Sequence, residues 1–181
     1  VQEVPYGSAA AAPEAPALLG GTFTGWSEDF SAVTSDMIVD PVYEDIDITV
    51  NLDKTTLALY AGDVDTITAT FDPDEESISA VTWTSDNESV ATVDSDGKVT
   101  AVAAGTANIK AEITYAGRTY YATSKVTVTA VEVSSIAVKT NPTKTQYFVG
   151  DSLDTTGLEI TVTYNNGKTE DITEGFEIGT F

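Results

Sequence analysis

The sequence predicts a mainly β fold, laid out as a row of small sandwich domains. Three observations carry this prediction. Short β-forming runs separated by turn residues recur from Ile46 onward, with few helix candidates between them. One run, Ala107 to Ile113, alternates strictly, with Ile109, Ala111 and Ile113 on one side and Asn108, Lys110 and Glu112 on the other. A pattern also repeats along the chain. "ALYAGD" at 58–63 returns as "QYFVGD" at 146–151, and placing Gly62 on Gly150 gives an offset of 88 residues that also puts Ile48 on Ile136 and Val50 on Val138.

The elements follow in order. Residues 1–45 hold eight acids and no Lys or Arg. "VQEV" is expected as a short strand and "YGSAAAAPEAPALLGG" as a Pro-broken connector of small residues. "GTFTGW" alternates as a strand, with Phe23 and Trp26 beside Gly25. "SEDFSAVTSD" has the composition of a turn or short helix, and "MIVDPVYE" of an extended run that Pro41 confines to a sheet edge. The texture changes at Ile46. "DITVNL", "DTITATF", "AVTWTS", "KVTAV", "ANIKAEI" and "SKVTVTA" read as strands. "DSDG" (Asp94, Asp96, Gly97) reads as a type I′ hairpin turn, because Gly tolerates positive φ. A second unit starts near Ser134. Its strand shows Leu158, Ile160, Val162 and Tyr164 in register and turns at Asn166-Gly167. Only 48 residues of this unit are present, so its closing strands are expected beyond Phe181. The repeat length suits one immunoglobulin-type sandwich, about 100 residues or fewer.

Composition excludes several functions. With 29 acids and 8 bases the net charge is −21, and such a surface repels nucleic-acid phosphates and anionic membranes. No Cys and no His are present. Disulfides, thiolate metal sites, His-dependent nucleophilic triads and the usual zinc ligands are therefore absent. No run is long and apolar enough to span a bilayer, so membrane insertion is not expected. Without an initiator Met or signal-like start, the chain reads as a monomeric segment of a longer, processed protein.

The residues from Ile46 carry a resemblance. "ITVNLDKTTLALYAGDVDTITATFDP", "AVTWTSDNESVATVDSDGKVTAVAAGTANIKAEI" and their spacing resemble a bacterial immunoglobulin-like domain of group 2, over about 46–131. "IAVKTNPTKTQYFVGDSLDTTGLEITVTYNNGKTEDIT" resembles the first half of a group 3 or group 4 domain. "YGSAAAAPEAP" through "TFTGWSEDFSAVTSDMIVDPVYE" resembles the later part of an internalin-type repeat with a β-grasp-like fold. The resemblances imply three modules: a partial β-grasp-like module at 1–45, a complete sandwich at 46–133 and a truncated immunoglobulin-like domain at 134–181. They also imply a stalk, spacer or adhesive unit of a multi-domain protein, extracellular or on a bacterial cell surface, with no catalytic residue to carry over.

Each candidate site has a plainer competitor. Trp83 lies mid-strand, where it is expected in the core; the competing reading is a ligand platform. Trp26 either packs beside Gly25 or offers its edge to a sugar, and Tyr120 and Tyr121 are candidate loop contacts for a cell-surface glycan or host protein. Asp72, Asp74 and Glu76 in "DPDEES" form a candidate weak calcium site, with a solvated acidic loop as the alternative. "DSDG" lacks the further acids of a helix–loop–helix calcium loop. Lys54, Lys110 and Lys125 are positional candidates for an intramolecular isopeptide bond. No resident cofactor is expected. Three functions follow: a non-catalytic spacer, a carbohydrate- or receptor-binding module, and an accessory region of a secreted polysaccharide-degrading enzyme.

Overall fold

The computed structural model describes residues 1–74, 78–175 and 177. No helix occurs among the described residues. Two strands come first, β1 (Gly21–Trp26) and β2 (Pro41–Asp45), paired antiparallel. Then follow β3 (Thr49–Leu52), β4 (Thr56–Tyr60), β5 (Val64–Thr66), β6 (Ala69–Asp72), β7 (Thr82–Ser85), β8 (Ala91–Val93), β9 (Lys98–Ala101), β10 (Gly105–Tyr115) and β11 (Arg118–Thr129). The last three are β12 (Val133–Thr140), β13 (Glu159–Tyr164) and β14 (Thr169–Ile172).

Strands β3 to β11 build the sandwich. One layer has the order β4-β11-β10-β7; the other is made of β3-β6 and β5-β9-β8. The alternation read in "ANIKAEI" holds over the whole of β10, whose Ala107, Ile109, Ala111, Ile113 and Tyr115 are all buried. Along β11 the inward positions are Ser124, Val126 and Val128, while Lys125, Thr127 and Thr129 face water. The core gathers in two clusters. Ile67, Val99, Ile109 and Val126 centre the first, and Ile48, Ile113 and Tyr115 the second. At about 25 cal/mol per Å² of apolar surface, burial of such side chains is the main stabilising term.

"DTITATF" is not one strand, as read from its pattern, but two. The chain leaves β9 at Thr66 and joins β3 at Ala69. Asp53 causes the switch: its carboxylate accepts the Thr68 N–H at 2.8 Å, and its own N–H donates to the Thr68 carbonyl at 3.1 Å. Ile67, fully buried, sits at the crossing and ties both halves to the core.

The hairpin at "DSDG" also differs from expectation. A type I′ turn needs positive φ at both central residues. Here the Gly97 N–H donates to the Asp94 carbonyl at 3.2 Å, and only Gly97 is left-handed, at φ +77°. This is a three-residue loop with glycine at the bulge. Asp94 selects it, because its Oδ1 accepts N–H bonds from both Asp96 and Lys98 at 3.0 Å. The loop at Asn165-Asn166-Gly167 repeats the pattern. The I′-like turn lies instead at Ala116-Gly117, joining β10 to β11, with φ of +49° and +76°.

Residues 1–45 form a two-stranded ribbon, not an assembled β-grasp sheet, and "VQEV" is not a strand. Pro41 opens the edge strand as expected. The ribbon meets the β10–β11 turn. Gly20 approaches Ala116 so closely that a Cβ there would lie 2.3 Å from the Ala116 Cβ. Ile46 N–H donates to the Gly20 carbonyl at 2.8 Å, and Arg118 pairs with Asp45.

The 88-residue repeat is visible in turn chemistry. Asp63 Oδ2 accepts the Tyr60 N–H, and Asp151 Oδ2 accepts the Phe148 N–H, each at 3.1 Å. Burial does not repeat. Ile48 is 5% exposed, whereas its counterpart Ile136 on β12 is 68% exposed. Strands β12-β13-β14 make a single three-stranded sheet in which Val162 is the buried apolar residue.

Candidate functional site

Two places carry features beyond the fold: a depression beside Trp26, and the junction between the two sheet systems. The first is walled by residues 9–12 on one side and 26–31 on the other. Ala9, Ala10, Ala12, Trp26, Glu28, Asp29, Phe30 and Ser31 line an open hollow of about 460 Å³. Backbone bonds fix the walls. Ala10 N–H donates to the Phe30 carbonyl at 3.0 Å, and Ser8 and Val33 form an antiparallel bridge. Gln2 holds Ala11 through both its amide oxygen and its amide nitrogen. Trp26 is half-buried in an aromatic cluster, with Phe23 edge-on at 5.3 Å and Phe30 at 6.4 Å between ring centroids. The carboxyl of Asp29 is held below its ordinary range by the Ser31 backbone N–H and then by the Ser31 hydroxyl.

The tyrosines lie on β11, not in a loop. Tyr120 is half-buried against the second core cluster and donates its hydroxyl to the Ile46 carbonyl at 3.4 Å. Tyr121 is exposed, and the Lys110 ammonium lies 5.8 Å from its ring centroid while bonded to Glu112 at 2.7 Å. Trp83 packs against the first core cluster, with its ring lying against Gly97. Asp72 and Asp74 are exposed at the end of β6; Glu76 lies outside the described residues. Among the described residues no group of three or more acids is placed to hold a metal ion. Lys54 donates to Asp65 and the Thr66 carbonyl, and Lys125 faces water. Lys54 and Lys110 are bonded to acids, Asp65 and Glu112, and neither to the Asn of the Lys–Asn–acid arrangement considered for an isopeptide crosslink.

The place of the junction follows from the unit start read near Ser134, but the side chain that holds it is not legible in the sequence. Only three residues, Ala130 to Glu132, separate β11 from β12. Asn165, in the β13–β14 loop, grips them. Its side-chain amide donates to the Ala130 carbonyl at 2.9 Å and accepts the Glu132 N–H at 3.1 Å; its own N–H donates to the Glu132 carbonyl at 2.9 Å. From the sandwich, the Tyr60 hydroxyl donates to the Asn165 carbonyl at 3.0 Å, and Lys168 pairs with Asp63 at 3.3 Å. A second Asn before "NG" is the available signal, since I′-type hairpins need only the Asn-Gly pair.

Residues 48–114 match the bacterial Ig-like domain (group 2), and residues 140–175 match the bacterial Ig-like domain (group 3). The first match ends before β11, which nonetheless pairs with both β10 and β4. Over 88 residues the chain is 42% identical to lacto-N-biosidase of Bifidobacterium bifidum, a match covering 49% of this chain and 7% of that protein. Over 104 residues it is 36% identical to an α-L-arabinofuranosidase of Bifidobacterium longum subsp. longum, covering 52% and 10%. The chain thus spans a small part of the curated relatives it matches. Among solved structures, domains 1–6 of the surface-layer protein SbsC align with 21% identity and a TM-score of 0.39, covering 75% of this chain and 19% of that one.

Proposed function

We propose that this chain, with its group 2 and group 3 bacterial Ig-like matches, is a non-catalytic spacer segment of a multi-domain bacterial protein, secreted or on the cell surface. The junction is the observation that carries the reading. A three-residue linker held by Asn165 on both of its flanks leaves little slack between one module and the next. The chemistry is that of positioning. No His or Cys is available as nucleophile or metal ligand, and the acids engaged in tight hydrogen bonds serve turns and strand ends. No helix among the described residues is long and apolar enough to cross a membrane.

The test uses spin labels at Asp96→Cys and Thr169→Cys, which are unique because the chain has no native Cys. A spacer gives a narrow inter-label distance distribution. Asn165→Ala removes two side-chain bonds, about 1–2 kcal/mol together, and should broaden it. A distribution already broad in the unmodified chain, or one unchanged by Asn165→Ala, refutes the reading.

A second reading is favoured by the matches to two bifidobacterial glycosidases: an accessory region of a secreted polysaccharide-degrading enzyme, with glycan as the partner of the whole. Deleting these residues from the full-length protein distinguishes the two. A spacer deletion changes reach or presentation, whereas an accessory glycan contact lowers retention on the polysaccharide.

A further inference from the structure

The outer face of the four-stranded sheet β4-β11-β10-β7 differs from the rest of the surface. Its strands alternate, so the residues between the buried ones point outward. Around Tyr121 the register sets two rows across the sheet, Thr82–Glu112–Tyr121 and Thr84–Lys110–Thr123, with Thr114 opposite Thr119 beside them. Every threonine in these rows is exposed, and Tyr121 is 65% exposed. Among the described residues, the threonine hydroxyls that bond within the chain belong to Thr24, Thr140, Thr143, Thr156 and Thr161, all on other elements. The hydroxyls around Tyr121 are left to donate and to accept.

Charge also sets this face apart. The chain carries 29 acids against 8 bases, yet the acids here are engaged. Glu112 binds Lys110 at 2.7 Å. Asp86, just past β7, accepts the Asn108 N–H and its side-chain amide, each at 2.7 Å. Lys110 and Lys125 balance these two carboxylates, so the face is a locally neutral strip on an anionic molecule. It runs about 35 Å along β10, at about 3.4 Å per residue. These properties select the partner. The core of a protein interface gathers apolar and aromatic residues, whereas Tyr121 is surrounded by threonines. An anionic polymer is repelled by the net charge of −21. A neutral sugar chain brings apolar C–H faces for the Tyr121 ring and hydroxyls that bond threonine in both directions.

We propose that this face binds a neutral polysaccharide laid flat on the sheet, with one sugar ring on Tyr121 and its hydroxyls bonded to the threonines and to the Lys110–Glu112 pair. The inference rests on the second reading, an accessory glycan contact, and gives that contact a surface. It does not depend on the spacer reading.

The experiment runs the full chain through native gels containing arabinoxylan, galactomannan, mixed-linkage β-glucan or dextran, with polygalacturonate as the anionic control. Retardation by at least one neutral polymer, and none by polygalacturonate, is expected. Tyr121→Ala removes the ring, and Thr119→Val with Thr123→Val removes two hydroxyls at nearly constant shape; each should weaken retardation about fivefold or more. Both variants are at exposed positions and should keep the urea midpoint of the unmodified chain. Tyr6→Ala, which removes an exposed ring outside this face, should leave retardation unchanged. Full retardation in both face variants overturns the surface while leaving a glycan contact elsewhere, and with it the second reading, intact. No retardation by any of the four neutral polymers, or equal retardation by polygalacturonate, overturns the proposal, and the second reading is then decided by the deletion in the full-length protein.

Discussion

Gly97→Ala is a severe test of how the sandwich is packed. Gly97 sits at φ +77°, and a Cβ there would lie 2.3 Å from the Ile67 carbonyl oxygen and 2.9 Å from Cζ2 of Trp83. Left-handed backbone costs alanine about 1–2 kcal/mol. The carbonyl cannot move aside cheaply, because the neighbouring Ile67 N–H is itself bonded to the Gly97 carbonyl at 2.9 Å. Overpacking of this kind adds about 1–3 kcal/mol. Alanine restricts the unfolded chain and returns about 0.4–1 kcal/mol, leaving a net loss of about 2–4 kcal/mol. Gly62→Ala is the control. It lies in the same sandwich at φ +87°, with nothing within 4 Å of its added Cβ, so only the backbone term of about 1 kcal/mol applies. Urea midpoints in a Trp26→Phe background, where Trp83 alone reports, measure both. If Gly97→Ala costs no more than Gly62→Ala, the close approach of the hairpin to Ile67 and Trp83 is wrong.

Three further outcomes are expected. Ser124 is fully buried and its hydroxyl has no partner among the described residues, so Ser124→Ala should stabilise the sandwich by about 1 kcal/mol; a lower urea midpoint would reveal a partner. Ala116 bears a left-handed φ of +49°, and Ala116→Gly should raise stability by up to about 1 kcal/mol; differential scanning calorimetry reads this, and a loss would mean that the methyl contact with Gly20 outweighs the strain. Asp53 and Asp86 accept backbone N–H groups and Asp65 binds Lys54, so all three carboxyls are lowered from 3.8 on folding. Their stabilisation is present above that value and lost as pH falls through the lower folded values. The urea midpoint should therefore drop below about pH 4, and constancy down to about pH 2.5 would contradict the assignment.

How far the sequence reached depends on the kind of cause. The β10 alternation was readable because burial imposes a period of two, and each of its inward residues is apolar. The break at Ile67 was not, because the residue that redirects the chain, Asp53, lies 15 positions away from Thr68. The position of the loop at Asp94 is legible in the sequence, but its type is not. Asp-Gly signals positive φ, while the count of loop residues is set by the Asp94 side chain and by strand register. Trp26 stands out in the sequence but its hollow does not, since the alanine wall is brought to it by hydrogen bonds between residues 7–10 and 30–33. Tyr120 and Tyr121 looked like a loop because "RTYYAT" lacks an apolar period, and their strand is fixed by its partner β10.

The pairing of β4 with β11 has a mechanical meaning. The two strands run parallel, from Thr56 opposite Lys125 to Tyr60 opposite Thr129. The chain enters the first at its Thr56 end and leaves the second at its Thr129 end. Tension drawn along the chain therefore pulls the two strands lengthwise past one another. Their ladder is loaded in shear, with its hydrogen bonds sharing the strain at once instead of opening in sequence from one end. A module wired in this way resists extension most strongly along the line in which its neighbours would pull it.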